Sequence, residues 1–499
     1  MFRQARYDEP TLFELSREGR IGVLMDVPWD MGGGGGLQLD AGLLREDLKL
    51  PEISQVGVIR HYTRLSQMNW GVDSGTYPLG SCTMKYNPRL NEDMSSDDRV
   101  QLIHPWQDVS TVQGALKLMS RLEWMLCALT GMSRFSLQPA AGANGELAGC
   151  LMIRKYHRDA GDLKRDEMIV PDTAHGTNPA SASMAGFKVV EMPTGSDGEI
   201  DLELLKGALS ERTAGMMMTN PNTLGIFESN VTKISEAVHS AGGIMYYDGA
   251  NLQGMLGMSR PGDLGFDIVH LNLHKTFSTP HGGGGPGSGP VGATAKLEGY
   301  LPVPLVSRNG GSYYWDYDVP HSIGKVRGGG GSFPILVRAY CYILSMGLEG
   351  LKSSCAAAVL NTNYFAKKVE GIRGLNVAYP SRLKKHEVVV SAEEMARETG
   401  VTALDLSKAL LERGIHAPTI YFPQRVKQAL MFEFADSESK EEIDRCVASL
   451  MEISEAAYSE PQQLKGAPST TSRKRLDEVR ANHPRTMRLS FRHKPSADL

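Results

Sequence analysis

The sequence has few cysteines, little net charge and no long apolar run. Six cysteines are scattered through 499 residues without a CxxC pair, so neither a disulfide framework nor a zinc site of that type is expected. The 53 basic residues are balanced by 57 acidic residues, which excludes a broad basic surface for nucleic acid. No apolar stretch approaches the roughly 18 residues that span a bilayer. The first 26 residues lack the apolar core of a signal peptide, so we expect a cytoplasmic protein that binds no membrane.

Glycine, by contrast, is abundant and clustered, with 54 residues in all. Because glycine tolerates positive φ and close backbone approach, a cluster marks either a flexible linker or a loop wrapped around a ligand. The run at 32–36 has no reactive side chain beside it, which favours a linker. The clusters at 142–145 and 282–289 adjoin candidate site residues and are interpreted as ligand-contacting loops. A fourth cluster is at 328–331.

The middle of the chain alternates strand and helix patterns. Helical spacing is present at 118–129 and 233–240, and short apolar strands are predicted at 168–170, 187–190, 214–219, 244–247 and 268–271. Strands separated by helices of this length predict a parallel α/β sheet, in which ligands bind beyond the carboxyl ends of the strands. The polar residues at such ends are Asp172, Asn220, Asp248 and Lys275.

Lys275 and Asp248 are the strongest catalytic candidates. Lys275 follows a predicted strand, where loss of solvent would make its amine nucleophilic, although the alternative of a surface lysine stays open. Asp248 ends another strand, where it could cap a helix or face the pyridine nitrogen of pyridoxal phosphate. An aspartate and a lysine on two strand ends with a crossover between them fit that cofactor better than either residue does alone.

Two further motifs are compatible with the same cofactor. Small residues at 141–145 precede a helical run and would expose backbone N–H groups to a phosphate, although a simple tight turn explains them equally well. His175 follows a strand end and could either stack on a flat ring or serve a structural role. The GxGxxG match at 282–287 is interrupted by Pro286 and Pro290, so it is interpreted as chance. No metal motif is present, and no metal is expected.

These residues lie in strings that resemble the glycine decarboxylase P-protein family. The strings are RHYTRLS at 60–66, YPLGSCTMKYNP at 77–88, AHGTNPA at 174–180, YYDGANLQG at 246–254 and HLNLHKTFSTPHGGGGPG at 270–287. The similarity runs from about residue 13 to about residue 488. The length is that expected of the separate C-terminal half, called subunit 2, in the two-subunit form of the family.

The resemblance implies an α/β fold of the fold-type-I, aspartate-aminotransferase-like class with pyridoxal phosphate attached to Lys275. It further implies that His175 stacks on the ring and that Asp248 faces the pyridine nitrogen. The other implied cofactor-binding residues are Ala141, Gly142, Ala143, Asn144, Asn222, Asn251 and His274. The residues expected near the substrate channel are Thr83, Lys85, Tyr86 and Asn87.

The resemblance also implies a reaction and partners. Glycine would be decarboxylated and its aminomethyl group passed to the oxidised lipoyl arm of H-protein, with T-protein acting downstream. The implied assembly is an α2β2 heterotetramer with subunit 1. Two alternatives are a pyridoxal-phosphate lyase or aminotransferase acting on another amino acid, and a non-catalytic scaffold subunit. The sequence departs from the family pattern at 328–331 and at Phe434.

Four segments are predicted along the chain. Residues 1–110 form an N-terminal arm and linker, and residues 111–345 form the large cofactor-binding domain. Predicted helices at 336–351, 356–369, 403–413 and 440–457, with strands at 388–390 and 419–422, indicate a smaller α+β domain at 346–460. Residues 461–499 form a basic tail, for which packing on its own protein is favoured over a nucleic-acid-binding arm.

Overall fold

The computed structural model describes residues 2–23, 40–43, 50–282 and 287–487. The glycine run predicted to be a linker, three residues of the 282–289 cluster and the end of the basic tail lie outside these ranges. The chain forms two compact units: a first unit of residues 1–75, 411–414 and 466–499, and a second unit of residues 76–410 and 415–465. The domain boundaries proposed from the sequence stay predictions.

The first unit joins the two ends of the chain through short helices and backbone hydrogen bonds. Its helices are α1 (Leu12–Leu15), α2 (Gln55–Gln67) and, near the C-terminus, Glu478–Asn482. The Gln4 N–H donates to the Thr470 carbonyl at 3.2 Å. Glu9 is buried and accepts from Arg64 at 2.7 Å, which lowers the pKa of its carboxyl.

The second unit is built around a seven-stranded sheet. Its strands are β1 (Arg134–Ser136), β2 (Glu167–Pro171), β3 (Lys188–Met192), β4 (Thr213–Thr219), β5 (Ile244–Gly249), β6 (Ile268–Leu271) and β7 (Val291–Ala293). The order is β1-β7-β6-β5-β4-β2-β3, and only β7 runs antiparallel to its neighbours. The predicted strands and the mainly parallel sheet are therefore confirmed.

Helices cover both faces of this sheet. Those that precede β8 in the second unit are α3 (Arg89–Ser95), α4 (Asp98–Gln101), α5 (Gln113–Thr130), α6 (Gly142–Asp159), α7 (Thr177–Met184), α8 (Leu202–Ala208) and α9 (Val231–Ser240). The fully buried neighbours Tyr246 and Tyr247 point to opposite faces, as period-two alternation requires. Tyr246 packs with α6 and α7, whereas Tyr247 packs with α5 and α9. The result is a three-layer α/β/α core that leaves the carboxyl ends of β4, β5 and β6 open for a site.

A smaller sheet and one long helix complete the second unit. A hairpin, β8 (Leu305–Asn309) and β9 (Ser312–Asp316), precedes helix α10 (Phe333–Val369). The small sheet has the order β10-β11-β13-β12 and is entirely antiparallel. Its strands are β10 (Asn376–Val377), β11 (Glu387–Ser391), β12 (Thr419–Ile420) and β13 (Ala429–Glu433). The remaining helices are α11 (Glu393–Thr399), α12 (Ala403–Leu411), α13 (Lys440–Ser459) and α14 (Pro461–Lys465).

Helix α10 refines one prediction from the sequence. Two helices were expected at 336–351 and 356–369, and the structure has two helical segments within Phe333–Val369 that meet at Gly347, whose φ is 60° and ψ 180°. The break therefore lies at residue 347 and not between 351 and 356. Within the described ranges α10 is the one helix long and apolar enough to cross a membrane by length and composition. A helix that packs on a protein core passes the same test, so this is weak evidence for a membrane span.

Candidate active site

The candidate site begins with three residues that lie side by side at the carboxyl edge of the large sheet. In the strand register Thr219 of β4 is opposite Asp248 of β5, and Asp248 is opposite His270 of β6. All three are buried. Residues directly opposite in a sheet project to the same face, so the register alone brings two side chains against the Asp248 carboxylate.

Asp248 is completely buried but well supplied with donors. Its Oδ1 accepts from the Ala250 N–H at 2.9 Å and lies 3.3 Å from His270 Nε2, and its Oδ2 accepts from Asn178 Nδ2 at 2.8 Å. Burial opposes ionisation, but His270, His175 and these donors outweigh it and lower the pKa of Asp248 to about 2. The structure therefore holds a carboxylate anion at the end of β5.

His175 is fixed at both ring nitrogens. Its Nδ1 lies 3.1 Å from Ser81 Oγ, and its Nε2 lies 3.3 Å from Asn251 Oδ1. Burial lowers the pKa of the imidazole to about 4, and the nearby Lys275 acts in the same direction. A cavity of about 340 Å³ opens beside the ring, lined also by Phe422 and Gln424. His175 is thus a neutral, oriented imidazole in a cavity wall.

Lys275 lies in the turn that follows β6 and is partly exposed. Its N–H donates to the Asn272 carbonyl at 3.0 Å, which closes the turn. Among the described residues its Nζ makes no hydrogen bond or ion pair, although its charge acts on His175 and Glu387. Lys275, His175 and Asp248, predicted together from the sequence, are brought to one edge of the sheet.

The predicted phosphate cup is the N-terminus of α6. Ala141 is the cap residue and makes no side-chain capping bond, and among the described residues the first backbone N–H groups of the helix have no acceptor. Gly142 packs on the Asn272 amide so closely that a Cβ there would collide with it. Asn144 Oδ1 accepts from the Ala140 N–H at 2.9 Å and holds the turn. Ala143 is exposed in the first turn of the helix.

Several buried polar atoms around this helix start have no hydrogen-bond partner among the described residues. They are Asn272 Oδ1, His274 Nδ1, Thr276 Oγ1 and Ser288 Oγ. Burial, with help from His281 and Lys275, lowers the pKa of His274 to about 3, so this imidazole is neutral. Since buried polar groups are normally satisfied, unpartnered atoms beside free helix N–H groups indicate a polar ligand with several oxygens.

The four residues predicted near the substrate channel have different environments. Thr83 donates to the buried Glu433 through both its N–H and its hydroxyl. Lys85 is buried, with Nζ 2.9 Å from Tyr342 Oη and 3.1 Å from Gln253 Oε1. The Tyr86 carbonyl accepts from the hydroxyl of Ser278 at 2.6 Å. Ser278 lies three residues after Lys275. The side-chain amide nitrogen of Asn87 donates to the Ser278 carbonyl at 2.8 Å.

Asn222 and Asn251 differ in what their amides bind. Asn251 links His175 to Glu387 and belongs to the site. The Asn222 amide instead donates to the Gly198 carbonyl at 2.8 Å and accepts from the N–H groups of Leu224 and Ile226. These bonds hold its own loop, and no contact joins its side chain to Asp248 or Lys275. Its predicted role in cofactor binding stays a prediction.

Two family models match the chain: glycine cleavage system P-protein over residues 100–310, and glycine dehydrogenase C-terminal domain over residues 354–469. The probable glycine dehydrogenase (decarboxylating) subunit 2 of Pyrococcus horikoshii is 58% identical, with 96% of each chain covered. The Sulfurisphaera tokodaii protein with the same description is 50% identical, with 99% of this chain and 97% of that protein covered. The chain belongs to the glycine dehydrogenase (decarboxylating) subunit 2 family. The resemblance predicted from the sequence is confirmed.

Solved structures agree on the fold. A glycine decarboxylase P-protein of the glycine cleavage system in inhibitor-bound form gives a TM-score of 0.71 at 19% identity, with 83% of this chain and 93% of that chain covered. A Burkholderia pseudomallei sphingosine-1-phosphate lyase gives 0.64 at 15% identity, with 83% and 94% covered. The chain therefore has the predicted fold class.

Sequence reasoning missed several polar residues of this subunit 2 site. Glu146, on the first turns of α6, accepts from Thr177 Oγ1 at 2.9 Å and Ser181 Oγ at 3.1 Å. Burial and the neighbouring Asp248 raise the pKa of Glu146 to about 7. Glu387 and Glu433 come from the small sheet. The signal for His270 was its position at the end of a buried strand. Glu387 and Glu433 had no such signal, because only the pairing of β11 with β13 brings these two residues together.

The two departures from the subunit 2 pattern are accommodated by packing. The backbone at 327–329 accepts from Gln138 Nε2, and Gly330 lies against the Trp315 indole. Gly330 and Trp315 also line a cavity of about 370 Å³. Phe434 is fully buried, with its ring centroid 4.7 Å from that of Phe365. The first departure lies near the start of the turn that leads to α6, and the second lies in the core.

Proposed function

We propose that this chain decarboxylates glycine with pyridoxal phosphate and transfers the remaining aminomethyl group to the oxidised lipoyl arm of H-protein, releasing CO2. The enzyme class and the cofactor follow from family membership. The assignment of residues is supported chiefly by one observation. The ionised Asp248 lies at the same sheet edge as Lys275, whose Nζ has no partner among the described residues.

The side chains at this edge fit the cofactor. The free N–H groups of Gly142 and Ala143, with the unpartnered Ser288 hydroxyl, suit a phosphate. Lys275 Nζ is suited to bond to the aldehyde carbon of the cofactor, and the Asp248 carboxylate is suited to pair with its pyridine nitrogen. When bound, pyridoxal phosphate supplies an electron sink for the electron pair left by cleavage of the bond between the glycine Cα and its carboxylate.

The residues of the chain then have separate tasks. The Asp248 carboxylate, with a pKa of about 2, holds a proton on the pyridine nitrogen throughout the neutral range. His175 offers one face of a neutral ring and excludes water from that side. Lys275 Nζ would hold the cofactor, and as a free amine it would hold a proton beside the reacting atoms. The backbone at Gly142 would bind the phosphate.

Membership of the family indicates one of the partners of this chain. The description of the relatives as subunit 2 indicates a partner subunit 1. We further propose an α2β2 assembly, docking of lipoylated H-protein, a product consumed by T-protein, and a cytoplasmic location. Thr83, Lys85, Tyr86 and Asn87 contribute to the substrate side, which is supported by the contact of Tyr86 and Asn87 with the segment just after Lys275.

Replacement of Lys275 by alanine tests the residue assignment. We expect the Lys275→Ala variant, purified with subunit 1, to lose covalent fixation of pyridoxal phosphate by borohydride, measured by peptide mass spectrometry. The matched control is Lys296→Ala, because Lys296 is exposed and contacts only the Tyr156 ring. Cofactor fixed to another lysine in the Lys275→Ala variant would overturn the assignment.

A second assay distinguishes this reaction from other pyridoxal-phosphate chemistry. Exchange of labelled bicarbonate into glycine should require lipoylated H-protein, because the aminomethyl acceptor is the lipoyl disulfide. An exchange rate independent of H-protein, or turnover of a larger amino acid at a comparable rate, would favour a general lyase or aminotransferase. Absence of cofactor from the purified complex would favour a scaffold subunit.

A further inference from the structure

A closed ring of hydrogen bonds passes through His175 and Glu387. Glu387 Oε1 accepts from Asn251 Nδ2 at 2.9 Å, and Asn251 Oδ1 lies 3.3 Å from His175 Nε2. On the other side Glu387 Oε2 accepts from the Ser81 N–H at 3.0 Å, and Ser81 Oγ lies 3.1 Å from His175 Nδ1. Four residues distant in sequence therefore hold one another in place around the histidine.

The ring determines which nitrogen of His175 is protonated. The Asn251 amide is oriented by two acceptors, since its Nδ2 donates to Glu387 and also to the Pro221 carbonyl at 2.9 Å. Its Oδ1 therefore faces His175 and can only accept, so Nε2 must donate. His175 Nδ1 is then an acceptor for the Ser81 hydroxyl. Of the two neutral tautomers, only the Nε2–H form satisfies every bond in the ring.

We propose that Glu387 is a positioning residue that fixes the orientation and the Nε2–H tautomer of His175 through Asn251 and Ser81. The link to catalysis rests on the proposed function, in which His175 faces the cofactor. The hydrogen-bond ring itself does not depend on the proposed function, because every bond in it is within the chain. Ser81 has a φ of 67°, a strained value for serine, and such strain persists where surrounding bonds over-determine the backbone.

The surroundings of Glu387 explain why a carboxyl group is needed. Both of its oxygens accept from donors, and an amide at this position would offer only one acceptor. Glu433 lies opposite on β13, and Lys275, His386 and Cys82 are the other charged or titratable groups near it. Burial and Glu433 raise the pKa of Glu387 to about 8. A carboxyl group keeps acceptor capacity on both oxygens in either protonation state, whereas the glutamine amide loses one.

Histidine NMR tests the ring without any cofactor. The full-length chain, labelled with ¹⁵N-histidine and purified with subunit 1, would be compared with Glu387→Gln, and the His175 signal assigned by its loss in His175→Gln. We expect one neutral Nε2–H signal in the wild type and a tautomer mixture in Glu387→Gln. The control is Glu228→Gln, since Glu228 is a buried glutamate whose side chain accepts from the Ile200 N–H and makes none of the bonds of this ring. An unchanged His175 signal in Glu387→Gln would overturn the proposal.

Cofactor affinity provides a second readout. Loss of one acceptor from the ring should weaken binding of pyridoxal phosphate roughly tenfold in Glu387→Gln, as measured by equilibrium dialysis. Ser81→Ala removes the hydroxyl that contacts His175 Nδ1, and it provides the same test if Glu387→Gln does not fold. Because both act through His175, the effects in the double variant should be less than additive. Full additivity would overturn the proposal, whereas cofactor fixed to a lysine other than Lys275 would overturn the proposed function alone.

Discussion

The second unit contains two buried clusters of the same composition, each with two carboxylates and one histidine. One consists of Glu146, Asp248 and His270, and the other of His386, Glu387 and Glu433. The pKa of Asp248 is lowered to about 2, whereas the pKa of Glu387 is raised to about 8. Burial is common to both, so the neighbouring groups decide. Each has a second carboxyl group nearby, Glu146 beside Asp248 and Glu433 beside Glu387, but Asp248 also has two histidines and several donors around it.

Asp248 and Glu387 therefore differ in charge. Asp248 supplies a fixed negative charge, whereas Glu387 remains neutral through most of the physiological range, and Glu146 beside Asp248 has a pKa that is raised to about 7. Removing a donor near Asp248, or adding one near Glu387, should shift the pKa of each carboxyl toward that of the other. The variants below run from the largest expected effect to the smallest.

Removal of the charge at Asp248 should have the largest effect. Asp248→Asn keeps the shape and the contact with Ala250 but loses the anion, so the rate of H-protein-dependent exchange should fall by about 10²-fold or more. The matched control is Asp263→Asn, since Asp263 is exposed and pairs only with Arg260. A loss below about fivefold would show that the anion is unnecessary.

Removal of one donor should have an intermediate effect. Asn178→Ala deletes the 2.8 Å bond to Asp248 and leaves the carboxylate in place. The pKa of Asp248 should rise, and exchange activity should fall by roughly tenfold, with its acid limb moved to higher pH. A pH profile that matches the wild type would indicate that the histidines alone maintain the charge.

Glu387 should make the free energy of unfolding fall as pH rises, which is the opposite of the effect expected from the lowered pKa of Asp248. Because the pKa of Glu387 is about 8 in the fold and near 4.5 when unfolded, its contribution to the free energy of unfolding is complete below pH 4.5. That contribution should disappear as pH rises through 8. In urea titrations the wild type should therefore lose more stability than Glu387→Gln between pH 5 and 8.5. Parallel losses in the two proteins would contradict this prediction, and Glu228→Gln serves as the comparison for a second buried glutamate.

The smallest effect is expected at Glu146. The pKa of this carboxyl is about 7, so near pH 6 it is mostly protonated and glutamine is a close substitute. Glu146→Gln should change exchange activity less than about twofold at that pH. A tenfold loss would mean that Glu146 contributes charge to the Asp248 cluster.

Sequence reasoning found the parts of the site that local patterns encode. Asp248 and Lys275 follow apolar strands, and the carboxyl ends of parallel strands must meet at one edge, so the pattern predicted both positions. The uncapped start of α6 was also visible from small residues at 141–145. In each case a few consecutive residues contained the signal.

The second cluster could not be found in this way. Glu387 and Glu433 meet because β11 and β13 pair, and pairing between strands so far apart depends on the assembled core. The same limit applies to Ser81, which reaches His175 across 94 positions in the chain. The two helical segments of α10 were predicted, but the break lies at Gly347 and not between 351 and 356.

The break in α10 has a mechanical consequence. The helix packs on the large sheet before Gly347, through Leu336 and Tyr342, and turns to the small sheet after it, where Thr362 donates to the His386 carbonyl. The two halves of α10 therefore pack on different sheets. Gly347 has backbone angles open almost exclusively to glycine, and nothing lies within 4 Å of where a Cβ would be. One exposed glycine thus fixes the angle between two helical segments that belong to different parts of the core, and any other residue there would strain the bend.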